Sequence, residues 1–274
     1  ACTRRESPQT SFDHTYRVFL HGDLKRSQDE AHRECARFRD SSPEWAWKFR
    51  ILEAESLMLR GMSQETLTLL NSQSTPPTER DSVVEMLAIE GVAYAREHSF
   101  PKAERSLGQA EQLCSGDVDS ICGSVIRAQG VLAIERGQLV LARKCFENTL
   151  SFARAHGDRF LEATALLNLG ASALREHHFD EAIGWLEPAD TLSANLGAES
   201  VGLKAVGNLG WAYYNLGDSE KALDLSREAE RRAAEVGDAF DELSWITNSG
   251  YVYSDARDFS RAKQSYLKLS LIHI

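Results

Sequence analysis

Three asparagines recur at a fixed interval: Asn168, Asn208 and Asn248 lie 40 residues apart. Near them stand Trp211, Tyr214, Asn215 and Tyr251. A carboxamide offers both donors and an acceptor, the complement of a peptide backbone of any sequence. Indole and phenol rings add apolar contact with a polar tip. Amides in register beside rings form a candidate ladder for an extended peptide, and these seven residues are its members. The other chemistry that suits a peptide, a set of Lys and Arg closing on a terminal carboxylate, is not present; Lys204 and Arg175 stand isolated.

Catalytic chemistry has no comparable signal. His177 and His178 adjoin a turn with no carboxylate motif to make a metal site with them. His156, just before Gly157, fits a helix end, where a cation is favoured by the dipole. No Ser-His-Asp or Cys-His arrangement sits in a motif, and no glycine-rich phosphate loop follows a strand. The chain is expected not to be an enzyme and to need no metal or cofactor. The five cysteines, Cys2, Cys35, Cys114, Cys122 and Cys145, include no C-x-x-C pair. Cys35 and Cys145 read as small buried hydrophobes. Cys114 and Cys122 flank a loop, and two readings stay open: free thiols, or a disulfide in an oxidising compartment. Ala1-Cys2 followed by a polar stretch is the arrangement of a bacterial lipoprotein after its signal is cut, and equally an arbitrary chain start. Cys2 is thus a candidate lipidation site. The compartment is correspondingly open: cytoplasmic, or extracytoplasmic and membrane-anchored through Cys2.

The net charge of -10 over 274 residues argues against a nucleic-acid partner, which calls for clustered Lys and Arg. No run of about 18 apolar residues is present, so no transmembrane helix is expected.

What must position the amides is a repeat. Gly130, Gly170, Gly210 and Gly250 are spaced by 40, with Gly91 39 before Gly130 and Ala54 37 before Gly91. Twelve residues after each of these anchors come Thr66, Ala103, Ala142, Ala182, Ala222 and Ala262; 27 after the later anchors come Gly157, Gly197 and Gly237. Columns held in phase over this length mark a repeat architecture. Small residues at the anchor and 12 beyond it let two helices of a hairpin approach closely. Gly137 and Gly217 supply a left-handed turn residue between them. Asp218 and Asp258 are natural N-caps for the second helix. Phe100, Leu139, Phe179 and Phe259 can plug the hairpin end.

The stretch from Asn208 through Gly210, Trp211 and Gly217 to Ala222 closely resembles the consensus tetratricopeptide repeat, and Asn168–Ala182 and Asn248–Ala262 resemble it more loosely. The 40-residue period resembles the long repeats of kinesin light chains, of bacterial peptide-sensing regulators and of the repeat half of CHAT-type caspase-like peptidases. The resemblance implies an all-α, right-handed superhelical solenoid of antiparallel hairpins whose first helices line a concave groove. It implies a non-catalytic scaffold that binds a protein or extended peptide segment, or else the N-terminal sensor half of a larger signalling protein or CHAT-type peptidase. The same asparagine belongs to the family consensus, so bonding within the scaffold stands beside the ladder reading.

In detail, the phase predicts a polar tail over 1–12 and a solenoid of about seven hairpins over 13–274, the last cut short. First helices are predicted near 45–58, 81–97, 119–136, 159–176, 199–216 and 239–256, carrying little charge. A degenerate first hairpin is expected over His14–Arg39, turning at Gly22. Pro188, in mid-helix, is expected to kink the fifth hairpin's second helix.

Overall fold

In the computed structural model, residues 7–72, 76–114 and 121–272 are described; the side chains of Phe240 and of 270–272 are left aside. Among the described residues every element is a helix. They pair in sequence as α1 (Pro8–Leu20) with α2 (Leu24–Phe38), α3 (Pro43–Leu59) with α4 (Ser63–Asn71), and α5 (Arg80–Arg96) with α6 (Phe100–Cys114); α7 (Cys122–Glu135) is followed by α8 (Leu139–His156). Then follow α9 (Arg159–Arg175) with α10 (Phe179–Leu196), α11 (Glu199–Asn215) with α12 (Ser219–Val236), and α13 (Ala239–Asp255) with α14 (Phe259–Ile272). The first helices of six pairs fall where the repeat phase puts them, and α1 already begins at Pro8. Cys2 lies outside the described residues.

The turns explain the period. The residue seven after each anchor is left-handed in every case: Gly61, His98, Gly137, His177, Gly217 and Arg257 all have φ between 53° and 87°. Gly22 plays the same part in the first pair, with φ 82°. His177 thus owes its position to a turn, and the turn imposes left-handed backbone on three non-glycine residues, where glycine carries no Cβ penalty. Asp218 and Asp258 cap as the sequence predicts, accepting from the backbone N–H of Lys221 at 3.0 Å and of Arg261 at 3.1 Å. Asp158 and Asp238 do the same one turn-type earlier, at the starts of α9 and α13.

The glycine anchors are packing positions. A Cβ on Gly170 would stand 2.5 Å from the Leu186 side chain, and one on Gly210 would meet Ser226 Oγ at 2.9 Å and the Ala222 carbonyl at 3.2 Å. The partner column is sealed: Thr66, Ala103, Ala142, Ala182 and Ala222 have no exposed surface. Phe259 departs from the plug reading, being 68% exposed. Pro188 is accommodated inside α10, which continues from Phe179 to Leu196; Gly184, whose carbonyl Pro188 leaves without its partner, has open space where a side chain would be.

The chain divides into two compact units, Ala1–Cys145 and Phe146–Ile274, with the dividing point inside α8. Within α1 to α7 and within α9 to α14 consecutive helices pack on one another, and the first helices also touch directly: α1 on α3, α3 on α5 and α5 on α7 in unit 1; α9 on α11 and α11 on α13 in unit 2. The first helices therefore form an inner row in each unit, and whatever a partner meets there comes from that row.

Candidate functional site

In unit 2 the row brings the predicted residues together. Asn168 sits on α9, Asn208 on α11 and Asn248 on α13, each half-buried and aligned by the repeat. Among the described residues none of the three side chains makes a hydrogen bond or ion pair. Scaffold asparagines would be expected to spend their amides inside the hairpin; these leave donors and acceptor open. Asn215 differs: it is exposed and donates to the Trp211 carbonyl of its own helix at 2.8 Å.

Trp211 is the centre of an aromatic cluster. Its ring centroid lies 5.2 Å from that of Tyr214 and 6.1 Å, edge-on, from that of Tyr251 on the next first helix. Tyr214 donates its hydroxyl to the Asp255 carboxylate, and that bond pushes its pKa up to about 12. Tyr251 is 48% exposed, a ring left at the surface. The three rings and the three amides without a described partner thus lie on one row of first helices, α9, α11 and α13.

Lys204 is not isolated, as the sequence alone implies. Its Nζ lies 2.6 Å from Asp241 Oδ2 and 3.6 Å from Asp238 Oδ2, both carboxylates nearly covered. The contact is an ion pair without the angles of a directed hydrogen bond. Burial pushes the Asp241 carboxyl above the ordinary range, with the Lys204 charge opposing and Asp238 reinforcing. Two acids 34 and 37 residues beyond the lysine meet it because α13 packs on α11; no spacing along the chain announces that.

The expectation of a sparsely charged first-helix row holds for unit 2 and fails for unit 1. There α3 and α5 carry acids and bases throughout. Arg50 is spent, donating to the Leu69 carbonyl at 2.8 Å and Ser72 Oγ at 3.0 Å, and Glu53 meets His32 at 3.1 Å. Glu55, Glu85 and Arg127 are different. They are only partly covered by area, yet crowded enough that loss of solvation pushes Glu55 to about 7 and Glu85 to about 8. Desolvation also lowers the Arg127 pKa. Among the described residues none of the three makes a hydrogen bond or ion pair.

Cys114 and Cys122 form a disulfide, with Cα atoms 5.8 Å apart, joining the end of α6 to the start of α7. Cys35 and Cys145 are not in a disulfide, and burial pushes both thiols up. Among the described residues no His, Cys, Asp or Glu cluster is able to hold a metal, and no helix is long and apolar enough to cross a membrane.

The chain superposes on solved helical-repeat proteins. A signal transduction ATPase with numerous domains and a tetratricopeptide repeat sensor, from Pyrococcus horikoshii, matches with TM-score 0.69 at 18% identity, over 96% of this chain and 40% of that one. The fold is tetratricopeptide-like. A Rap protein complexed with competence and sporulation factor gives TM-score 0.70 at 12% identity, covering 97% of this chain and 76% of its own. BtubC (BKLC) from P. vanneervenii gives 0.63 at 20%, covering 83% and 91%. This chain spans well under half of the tetratricopeptide-sensor ATPase. No family model matches the sequence, and no curated protein matches it. At these identities the tetratricopeptide-like likeness establishes architecture alone.

Proposed function

We propose that the chain is a non-catalytic scaffold of the long-period tetratricopeptide type that binds an extended peptide segment along α9, α11 and α13. The observation that carries this is the unspent state of Asn168, Asn208 and Asn248 beside the Trp211, Tyr214 and Tyr251 rings. Amides grip backbone whatever its sequence; the rings select apolar or aromatic side chains. Asn215, tied to its own helix, frames the site without acting as a rung. The Rap protein solved with a bound factor lends the same reading support, as a similar fold in complex with a ligand. Few free charges lie on this row, so binding should depend only weakly on salt.

The test is selection of a random linear-peptide library on the whole protein, followed by affinity measurement on Asn208→Ala/Asn248→Ala. Each amide–backbone bond contributes about 0.5–1.5 kcal/mol, so the double variant should bind selected peptides about 5- to 100-fold more weakly while melting unchanged. Equal affinity would refute the ladder.

A second reading is a sensor portion of a larger signalling protein, a catalytic neighbour of CHAT type being one form of it. It is favoured by the match to 40% of a signal transduction ATPase that carries a tetratricopeptide repeat sensor. On this reading the peptide is a signal, and its binding should change amide exchange in α10, α12 and α14 as well as in the row it touches. Protection confined to α9, α11 and α13 would leave only the scaffold reading.

A further inference from the structure

A cavity of about 350 Å³ opens between α12, α13 and α14. Three buried hydroxyl residues line it: Ser249 and Tyr253 of α13 and Ser265 of α14, which are 3%, 7% and 9% exposed. Ser249 Oγ is buried without a hydrogen-bond partner, and Ser265 has none among the described residues. A helical serine commonly returns its hydroxyl to the carbonyl one turn back, as Ser193 of α10 does to Ala189 at 2.6 Å. We propose that this cavity binds the carboxylate of a small organic monoanion, held by the Arg227 guanidinium and the hydroxyls of Ser249, Tyr253 and Ser265.

The repeat register marks these serines as departures from ordinary packing. Ser249 stands 40 residues after Leu209 and 80 after Leu169, and both leucines are buried in the core. Ser265 stands 40 after Leu225 and 80 after Trp185. Two positions that hold large side chains in the preceding hairpins therefore hold small hydroxyls here, on facing helices. Large-to-small replacement inside a packed repeat leaves space, and here that space is lined with polar groups. A polar outer face is expected of a terminal hairpin, yet Ser249 and Ser265 are covered.

The charges around the cavity decide what enters. Arg227, exposed at its edge, donates to the Tyr253 hydroxyl and makes no close ion pair among the described residues. Tyr253 accepts that bond, so its own proton is available to a ligand. The other cations nearby are engaged: Arg231 with Glu228 and Glu235, Lys268 with Glu230 at 2.8 Å, and Arg261 with Asp258 at 3.5 Å. One open guanidinium beside three hydroxyls suits an oxyanion, which charge-assisted bonds hold best. Glu242, two turns before Ser249, also lines the cavity and has no close ion pair among the described residues. Glu242 and Glu230 oppose a second negative charge, which favours a monocarboxylate over phosphate or a dicarboxylate. At ~30 Å³ for each water-sized group, the space holds about a dozen non-hydrogen atoms. Ala234 and the methylene stems of Arg231 and Lys268 offer contact to an apolar body.

Tyr251 meets Trp211 of α11, whereas Tyr253 meets Arg227 of α12; the cavity and the amide ladder thus use different neighbours, and the two proposals fail separately. The probe is hexanoate, titrated into the whole protein labelled with ¹³C in its tyrosine rings and followed by NMR, with the Tyr253 signal identified by its loss in Tyr253→Phe. That signal should shift saturably at millimolar concentration or below. Hexanamide, of the same shape without the charge, should bind about tenfold or more weakly, as should succinate and inorganic phosphate. Arg227→Gln should weaken hexanoate about tenfold or more, and Ser249→Ala roughly 2- to 10-fold. The Ser249→Ala protein should melt no lower than the parent, since a buried hydroxyl without a partner does not favour folding. Lys144→Gln, which removes an exposed positive charge from α8, and Asn208→Ala should both leave hexanoate affinity unchanged. Equal binding of hexanamide, full affinity or a clear fall in melting temperature in Ser249→Ala, or no saturable shift with either hexanoate or benzoate would each overturn the site. Tighter binding of phosphate or succinate would overturn the assignment to a monocarboxylate.

Discussion

Charge on the first-helix row is handled differently in the two units. In unit 2, Lys204 reaches up from α11 and is met by two covered acids of the next hairpin, Asp238 and Asp241. In unit 1, Glu55, Glu85 and Arg127 also lie on first helices, and among the described residues none of them makes a hydrogen bond or close ion pair. A charge paired across hairpins holds the stack in register; a charge desolvated without such a partner costs the folded protein stability. The amides divide in the same way, Asn215 spent on its own helix and Asn168, Asn208 and Asn248 not. Pairing thus separates scaffold from surface better than residue type or burial does.

The sharpest way to break that distinction is Lys204→Met. Removing one partner leaves two covered carboxylates without a counter-charge, and breaking a pair of this kind costs about 3–5 kcal/mol; because Lys204 keeps 24% of its side-chain surface, the lower end is expected. Melting of the variant by circular dichroism should show a large fall. A change below about 1 kcal/mol would mean the triad is not holding α13 on α11.

Next in size is the covalent tie of unit 1. Cys114→Ser/Cys122→Ser reopens an eight-residue separation, and loop-closure entropy for so short a loop is worth about 2 kcal/mol. Denaturant unfolding with and without reductant should show the loss in the parent chain and no effect of reductant on the variant. An unchanged midpoint would show that helix packing alone fixes the start of α7.

Glu55→Gln/Glu85→Gln should move stability the other way. Both carboxyls hold their proton more tightly folded than unfolded, so folding is favoured most while both are protonated, below their ordinary 4.5. That contribution is lost as pH rises through about 7 and 8. The parent should therefore lose stability between pH 5 and pH 9, on the order of 2 kcal/mol after allowance for the solvent these groups keep, and the variant should not. Parallel pH profiles for the two would place both groups among the paired charges.

The smallest effect is expected at a turn. His177 carries φ 60°, and its ring is solvent-exposed. Glycine there removes the left-handed penalty, and His177→Gly should stabilise by roughly 0.5–1 kcal/mol. The same change at a glycine-bearing turn in reverse, Gly217→Ala, should cost a similar amount. A neutral pair would indicate turns that relax without strain.

The sequence by itself determined the fold. Small residues at the anchors and 12 beyond, left-handed turns seven after them and capping aspartates are local requirements of a close helix hairpin, repeated in phase, and each is legible without a neighbour. It also placed Asn168, Asn208, Asn248, Trp211, Tyr214 and Tyr251 on one row, because the repeat carries each position to the same place on successive helices. Only the tertiary structure decided which polar groups are spent. Lys204 looked isolated because its partners lie more than 30 residues away and approach only when α13 packs on α11. Glu55, Glu85 and Arg127 carry no signal in the sequence, since solvation is a property of what surrounds a side chain in space. A repeat fixes which residues share a face; the stacking of its hairpins fixes whether each finds a partner there.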